Sequence, residues 1–361
     1  MPGLPFGAQL RVWVGVNGVD GATEEWLKAR AASDPNLHML AWCKSVSPAE
    51  ARNRLILASG SRSAGRKEKT TIEQTETANG AATIAVAATI TKTVIVTGTD
   101  DWVFFLDDDA FVPANYFEVI APHLNSELAA LGGPNLTPPT ATRFSRATGA
   151  ALSSRWATYC TVARYRAEGS TRAAGEESLI LCNLWVRRSW LGARAFPAEM
   201  ICAEENAFLA AAAARGARFL HVPSLHVWHE RRPNPRALAA QVFKYGRGRV
   251  QLWGNEGGDR RLAHLVPALC VLYSLGLMAG WVLGSGSTAG LAPFAIYLAL
   301  GTIFAARVPG VRGIRERSLV LAIFCLIHGA YALGVLREGT ARARATIRAP
   351  KRRAPKLSWP S

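Results

Sequence analysis

Three consecutive carboxylates, Asp107, Asp108 and Asp109, are the residues best suited to chemistry in this chain of 361 residues. Four apolar residues, Val103 to Leu106, precede them and are too few for a helix, so they predict a buried strand that runs directly into the carboxylates. Because like charges repel, such a run gains little on a surface and is costly in a core. It suits a divalent cation at the carboxyl end of a strand, where open α/β sheets bind their ligands. The plainer alternative is an acidic turn before a helix that follows Pro113.

Strands and helices are predicted to alternate around this acidic stretch. In chain order the pattern predicts a strand at Leu10 to Val16, a helix at Thr23 to Ala32, a strand at His38 to Trp42, a helix at Pro48 to Leu57 capped by Ser47, a helix at Pro113 to Asn125, a strand at Ser178 to Arg187, a helix at Glu204 to Arg215 and a strand at Phe219 to Val222. Such alternation predicts an α/β fold with a mostly parallel sheet.

Two segments break this alternation. Residues 59–100 are first basic and polar and then rich in Thr, Ala, Ile and Val, so the second half could add a strand or a hairpin. A partly disordered surface insertion explains the same composition. Residues 137–175 have weak periodicity and many turn residues, and we interpret them as a mobile loop region.

Three long, nearly uncharged segments follow, at Leu262 to Gly284, Thr288 to Ala306 and Ser318 to Leu336. Each can cross about 30 Å of hydrocarbon at 1.5 Å per residue. A soluble helical core would explain any one of them, but three in series favour a membrane domain. Arginines before the first segment and between the second and third place both regions in the cytosol. Three full spans would then export the C-terminal tail, so the third segment is re-entrant or interfacial, or it violates this rule.

The net charge of +16 is concentrated partly at the C-terminus, where residues 337–361 contain eight basic residues and one acidic residue, a net charge of +7. Basic tails bind nucleic acid or anionic lipid. Because this tail follows apolar segments and no nucleic-acid readout motif is present, membrane lipid is the expected partner and nucleic acid is not. The six cysteines form no CxxC motif and no disulfide-like framework, which is typical of a reduced cytosolic domain.

Several short motifs occur in one order along the chain. They are Ala51-Arg52-Asn53 on a predicted helix, Phe105-Leu106-Asp107-Asp108-Asp109, Gly132-Gly133-Pro134, Cys182-Asn183-Leu184, Glu204-Glu205-Asn206, His229, and the segment from Gln241 to Arg247. This order resembles the family 2 glycosyltransferases, and in particular membrane-anchored bacterial members of the succinoglycan and exopolysaccharide type. The resemblance implies a Rossmann-like GT-A domain at residues 1–255, then a membrane domain with two or three transmembrane helices at 256–336 and a disordered basic tail at 337–361.

The resemblance also implies a role for each motif in an inverting transfer from a nucleotide-diphosphate sugar. It implies Asp107, Asp109 and His229 as ligands of Mg²⁺ or Mn²⁺, with His226 as a competing histidine, and Glu205 as the general base, with Glu204 as the alternative. The implied donor-binding residues are Asn17, Asp20, Arg52, Asp107, Asp108, Asp109, Gln241 and Arg247. Lys244, Tyr245 and Arg249 belong to the same closing segment. A basic helix lying on anionic lipid is the other interpretation of that segment.

The implied protein is a multi-pass protein of the cell inner (plasma) membrane, with its catalytic domain in the cytoplasm and a lipid-linked or growing glycan as acceptor. The nucleotide side of the site departs from the family pattern, since Val16 stands where relatives carry the aspartate that binds the base. A processive polysaccharide synthase is one alternative, although the paired Arg-Trp expected there is missing. A truncated or non-catalytic homologue that acts as a scaffold is the other.

Overall fold

A computed structural model describes residues 11–17, 21–34, 36–42, 45–60, 93–99, 102–125, 127–253 and 261–348. Its strands are β1 Arg11–Asn17, β2 Leu37–Trp42, β3 Thr93–Thr99, β4 Trp102–Asp107, β5 Ala110–Phe111, β6 Ala130–Gly132, β7 Asn135–Leu136, β8 Arg172–Ala173, β9 Leu184–Arg187, β10 Phe219–His221 and β11 Val227–His229. Its α-helices are α1 Gly21–Ser33, α2 Pro48–Gly60, α3 Tyr116–Ile120, α4 Arg143–Leu152, α5 Arg155–Thr158, α6 Glu204–Ala214, α7 Pro235–Leu252, α8 Val266–Val282, α9 Ala292–Ala306 and α10 Gly313–Arg348.

The main sheet has eight strands in the order β2-β1-β3-β4-β9-β6-β10-β8. Strands β1, β2, β4, β6 and β10 point the same way, while β3, β9 and β8 point the opposite way. The α/β class is therefore confirmed, but the sheet is mixed rather than mostly parallel. The connection from Thr99 to Trp102 is far too short for the crossover that parallel neighbours require, so β3 must pair antiparallel with β4.

The end of the unusual segment 59–100 forms strand β3. It lies between β1 and β4 and pairs with both, so residues 93–99 form a strand, which was one of the alternatives that the sequence left open. Residues 61–92 lie outside the described part of the chain. The segment therefore contributes to the centre of the sheet, next to the strand that ends in the acidic turn.

Two cores cover the two faces of the sheet, and β4 contributes to both. Successive strand residues point to opposite faces, so Phe104 packs against Trp185 with ring centroids 4.8 Å apart, whereas Phe105 meets Phe196 edge to face at 5.3 Å. Phe104 and Phe105 are both fully buried. Burial of each ring stabilises the fold by about 1.5 to 3 kcal/mol. The two ring contacts hold β4 in place, and with it the acidic turn at its end.

The expectation of a mobile loop at residues 137–175 is wrong for much of that segment. Helix α4 is capped by Thr142, whose hydroxyl accepts from the amide of Ser145 at 3.3 Å, and a 3₁₀ turn occupies Tyr159–Tyr165. Ala147 and Ala151 of α4 are buried in a cluster shared with α10. This helix is stabilised by a contact with a segment about 170 residues later, which local periodicity cannot reveal.

The C-terminal region contains three helices that are long and apolar enough to cross a membrane, Leu262–Val282, Thr288–Ala306 and Gly313–Ala345. The last belongs to α10, which continues without a break to Arg348. The prediction that the tail is disordered from residue 337 is therefore wrong as far as Arg348. Glu338 is buried beside Arg247 and Gln251 of α7, and this contact orders the helix beyond residue 336.

Candidate active site

The acidic turn between β4 and β5 is held against the end of β11. The small sheet β5-β11-β7 pairs Ala110 with His229, which brings the imidazole to the turn. His229 Nε2 lies 3.1 Å from Asp109 Oδ1, and Arg232 Nη2 lies 3.7 Å from Asp109 Oδ2. Burial alone would raise the pKa of Asp109, but the hydrogen bond from His229 and the charge of Arg232 outweigh it, so the pKa lies below its ordinary value.

A buried arginine connects the acidic strand to the helix that carries the glutamate pair. Arg52 of α2 contacts Glu204 Oε1 through Nη1, and its Nη2 lies 3.4 Å from Asp107 Oδ1. Burial lowers the pKa of Arg52, but the charges of Glu204 and Asp107 more than reverse this effect. Glu204 is therefore engaged in an ion pair that holds the two halves of the site together.

The position of Arg52 follows from how α2 is anchored. Ser47 caps this helix, accepting from the amide of Glu50 at 3.2 Å, as its sequence predicts. Asn53, which follows Arg52, donates to the carbonyl of Phe196 at 2.7 Å and accepts from the amide of Phe196 at 3.0 Å. These two buried bonds fix the rotation of α2, so that the side chain of Arg52 faces the acidic residues.

Glu205 lies beside Glu204 in the first turn of α6 and has a different environment. Its Oε1 lies 3.9 Å from Arg164 Nη1, a distance longer than a hydrogen bond. Burial and then the charge of Glu204 raise the pKa of Glu205 from 4.5 to about 7. A carboxyl group with such a pKa can accept a proton near neutral pH.

The turn before α6 is strained. Ala203 has φ of 65°, in the left-handed region that costs an alanine about 1 to 2 kcal/mol. It precedes Glu204 directly, so this backbone conformation aims the start of α6, and both carboxylates, into the site. The positive end of the helix also favours the two negative charges there.

Glu176 organises the wall beside Glu205. Arg164, in the 3₁₀ turn, donates to the carbonyls of Glu176 and Glu177 at 2.7 and 2.9 Å. The Glu176 carboxylate accepts from Asn206 Nδ2 and lies 3.9 Å from Arg249 Nη1 of α7. The segment from 159 to 177, α6 and α7 are therefore tied together around the proposed base.

The Gly132-Gly133-Pro134 motif permits a close approach of three chain segments. A Cβ atom on Gly132 would collide with the carbonyl of Asn183, and one on Gly133 with the carbonyl of Leu225. In the space that remains, Asn183 Nδ2 donates to the carbonyls of Pro134 at 3.2 Å and Leu225 at 2.6 Å. This network fixes the turn that leads to β11 and His229.

A possible metal cluster consists of Asp107, Cys182 and His229, whose ligand atoms lie within 4.8 Å of one another. Burial raises the pKa of the Cys182 thiol well above its ordinary value, so the thiol is protonated at neutral pH and accepts from Asn135 Nδ2 at 3.3 Å. Among the described residues, buried His229 Nδ1 has no hydrogen-bond partner. The carboxylate oxygen suits Mn²⁺ or Mg²⁺, which keep several waters, whereas the imidazole nitrogen is a ligand more typical of transition metals than of Mg²⁺. Asp109 lies outside this cluster and contacts the histidine instead.

These groups line a single cavity of about 1410 Å³ that extends towards the apolar helices. Its polar end contains the three aspartates, both glutamates, His229 and Arg52. Its other end is lined by α8, α9 and α10, including Tyr273, Phe294 and Tyr297. The same cavity therefore offers charged groups at one end and an apolar chamber at the other.

Most residues predicted for the site meet in this cavity. Arg52, Asp107, Asp108, Asp109, Glu204, Glu205, His229 and Gln241 line it. His226 does not, since its ring packs on Trp228 at 4.9 Å. Asn17 ends β1 with an undescribed side chain, and Asp20 lies outside the described residues.

Arg247 is the predicted donor-binding residue that lies elsewhere. It faces α10, with Nε 3.0 Å and Nη2 2.9 Å from Glu338 Oε2, and it does not line the cavity. Arg249 lines the cavity in its place, together with Tyr245. At the nucleotide side, Val16 is fully buried in a cluster with Leu27 of α1, so this position cannot contact a base.

Several residues of the site have no clear signal in the sequence. Arg164 and Glu176 belong to or border the segment interpreted as a loop. Arg231 donates to Asn135 O at 2.8 Å and stacks over Tyr165 at 5.5 Å. In the sequence, only its position two residues after His229 indicates that it belongs to the site. Cys182 lies within a recognised motif, but nothing in that motif indicates proximity to Asp107.

In a comparison with protein families, residues 102–335 match the family described as Glycosyl transferase family group 2. No curated protein and no solved structure matches the chain significantly. The matched region begins at β4, includes the acidic turn, the glutamate pair and His229, and extends through most of α10. A glycosyltransferase domain of this kind makes the chain an enzyme that transfers a glycosyl group. The chain therefore belongs to the Glycosyl transferase family group 2.

Proposed function

We propose that this protein transfers a sugar, with inversion, from a nucleotide-diphosphate sugar to a lipid-linked acceptor at the cytoplasmic face of the cell inner membrane. The observation that carries the proposal is the cavity that joins the carboxylates to an apolar chamber between α8, α9 and α10. A water-soluble acceptor would have no use for that chamber. A polar head carrying the acceptor hydroxyl would lie near Glu205, and its apolar chain would lie between the helices.

The donor would bind at the polar end of the cavity. Asp107 and His229 would hold a divalent cation, with Asp109 fixing the imidazole through its hydrogen bond. When bound, such an ion neutralises the charge that develops on the departing diphosphate. Asp108, which is exposed, would contact the donor sugar or ribose, and Gln241 would contact the diphosphate side.

The other residues predicted to bind the donor keep their proposed roles, except that Arg249 replaces Arg247. Asn17 and Asp20 stay proposed contacts on the nucleotide side. Arg52 would act by holding Glu204 and Asp107 in place. Because Arg247 is engaged with Glu338, we assign its proposed diphosphate contact to Arg249, which lines the cavity.

Glu205 would act as the general base. As the acceptor oxygen forms a bond to the anomeric carbon, the bond from that carbon to the diphosphate breaks, and the acceptor proton moves to Glu205. Glu204 is less suited, since its carboxylate is paired with Arg52. The raised pKa of Glu205, caused by burial and by Glu204, supports proton transfer near neutral pH.

Hydrolysis of nucleotide sugars by the purified full-length protein in detergent tests the donor half of the proposal. A panel of nucleotide sugars with and without Mn²⁺ should reveal one donor that is turned over only with the ion, and Asp107→Ala should abolish that turnover. A chain without any turnover or donor binding would instead be a scaffold.

Acceptor preference is tested separately with the donor so identified. Radiolabelled sugar should appear in the organic-soluble fraction when membrane lipid extract is supplied, as a product with a single added sugar. Transfer only to water-soluble glycans would refute the lipid-linked acceptor, and a long polymer would indicate a processive synthase.

A further inference from the structure

The three apolar helices differ in what surrounds them. Together α8 and α9 expose twelve large hydrophobic side chains, whereas the described part of α10 exposes two, Ile314 and Leu333. In the most apolar window of each segment, 6% and 11% of the residues are buried for the first two, against 39% for α10. Helices that face lipid expose large apolar side chains, so α10 is covered by protein where α8 and α9 are not.

The main partner of α10 is a charged helix of the catalytic domain. Leu238 and Val242 near the start of α7 share a cluster with Val320 to Ile327, and Gln251 near its end contacts Glu338. The two helices therefore lie side by side in parallel. Four cationic residues lie within the 18 residues of α7, namely Arg236, Lys244, Arg247 and Arg249. A helix of this composition does not enter hydrocarbon, so its neighbour cannot cross there either.

The backbones of α7 and α10 are in close contact. A Cβ on Gly246 of α7 would collide with the carbonyl of Tyr331, and a Cβ on Gly334 of α10 with the carbonyl of Phe243. The catalytic domain also contacts α10 through α5, since His328 Nε2 donates to the carbonyl of Trp156 at 2.8 Å.

Helix α10 contacts α8 near the start of that helix but contacts α9 along most of its length, since the hydroxyl of Tyr297 lies 2.8 Å from His328 Nδ1 and a Cβ on Gly301 would meet Leu321. Ala332 and Val335 pack with Ala268, near the start of α8, whereas Val320 packs with Ala305, near the end of α9. These contact points lie about 22 Å apart along α10. Tyr273 and Phe294 meet nearer the connection between α8 and α9, with ring centroids 5.9 Å apart. Helix α10 thus contacts the start of α8 and lies beside α9 from Tyr297 to Ala305.

We propose that α8 and α9 cross the membrane as a hairpin, and that α10 lies at its surface between that hairpin and the catalytic domain. Both ends of α10 then lie on the catalytic side. The arginines before α8, between α9 and α10 and after residue 336 all lie on that side as well, as the distribution of positive charge in membrane proteins requires. The proposal does not depend on the donor, acceptor or catalytic residues assigned above.

The first test places an epitope tag at one of three sites in the full-length chain: before Met1, between Ser285 and Ser287, or after Ser361. Antibody access is measured in right-side-out and inverted membrane vesicles. The N- and C-terminal tags should share one side, with the tag between α8 and α9 on the other. A C-terminal tag on the side of the α8–α9 tag would overturn the proposal, and so would three tags on one side.

A matched pair of variants tests the contact between α7 and α10. Gly334→Leu should lower the Tm of the detergent-solubilised protein, because the backbone of α7 occupies the space that the side chain needs. Gly339→Leu, on the same helix, meets nothing within 4 Å and should leave the Tm unchanged. Equal effects of the two substitutions would show that α10 does not pack on α7 and would contradict the proposal.

Discussion

Glu205→Gln is the substitution that most directly tests the assigned chemistry. The variant keeps the size of the side chain and removes its ability to accept the proton of the acceptor hydroxyl. General-base catalysis contributes about 10²- to 10⁴-fold, so transfer should fall by that factor while donor affinity stays near that of the wild type. The measurement is kcat for glycosyl transfer, with donor affinity from calorimetry on the same preparation.

The pH dependence of the transfer rate tests the same assignment of Glu205 independently. With a pKa of about 7, Glu205 is mainly protonated at pH 6 and mainly ionised at pH 8. Transfer by the wild type should therefore rise about tenfold between these values. The charge of Glu204 contributes to the raised pKa, so Glu204→Gln should move the midpoint of whatever activity remains to lower pH.

Stability should change in the opposite direction to activity. The pKa of Glu205 is raised on folding, so its effect on stability is absent below pH about 4.5, becomes increasingly unfavourable between pH about 4.5 and 7, and is complete above that range. The full cost of ionising this side chain is on the order of 3 kcal/mol, from about 1.4 kcal/mol per pKa unit. Glu205→Gln should thus unfold at higher temperature than the wild type at pH 8, and near the same temperature at pH 4.

Two results would refute this reasoning. The first is transfer by Glu205→Gln at the wild-type rate, which would exclude it as the base. The second is a wild-type rate that does not change between pH 6 and pH 8 with donor and acceptor saturating. If Glu204→Gln alone abolishes transfer with unaltered donor affinity, the neighbouring carboxylate is the base.

Three further predictions concern the metal, the diphosphate contact and the glycine turn. Asp109→Ala should weaken Mn²⁺ binding about 10- to 100-fold in calorimetry through loss of the bond that orients His229, and unaltered affinity would contradict this role. Arg249→Ala should raise the KM for the donor. Arg247→Ala should leave that KM unchanged and lower the free energy of unfolding by about 2 kcal/mol in denaturant, because Glu338 loses its main partner and keeps only the hydrogen bond from Gln251 among the described residues. The reverse outcome would restore Arg247 as the donor ligand. Gly133→Ala should lower stability by about 2 kcal/mol or more, since its Cβ has no room beside a backbone carbonyl, and wild-type stability would show that the turn can relax.

The sequence predicted the acidic strand and the glutamate helix because these features have local causes, whereas their meeting was implied only by the family resemblance. A short apolar run followed by aspartates predicts β4 and its turn, and Ser47 before Pro48 predicts the start of α2. Motif order then indicated that these pieces converge. The structure has them in one cavity.

Other features depend on contacts that no local pattern encodes. Helix α4 contains Gly149 and several weak helix formers, and it is stable because it packs on α10. Arg247 and Arg249 lie two residues apart and so point about 200° apart around α7, which means that only one can face the cavity. Which one does so is decided by Glu338, a residue that the sequence assigned to a disordered tail.

The charges around the cavity are compatible with the proposed binding of a diphosphate donor together with a cation. Six arginines and six carboxylates line it: Arg52, Arg155, Arg164, Arg231, Arg232 and Arg249, with Asp107, Asp108, Asp109, Glu204, Glu205 and Glu230. The lining is therefore neutral when every group is ionised. The proposed donor, a nucleotide-diphosphate sugar with two negative charges, adds no net charge together with a divalent cation, so the two should enter more favourably together than separately. In the proposed mechanism Glu205 would accept a proton, and the lining would become positive by one charge at the same moment as the departing diphosphate gains one negative charge. Proton transfer to this residue thus offsets the charge of the leaving group within the same cavity.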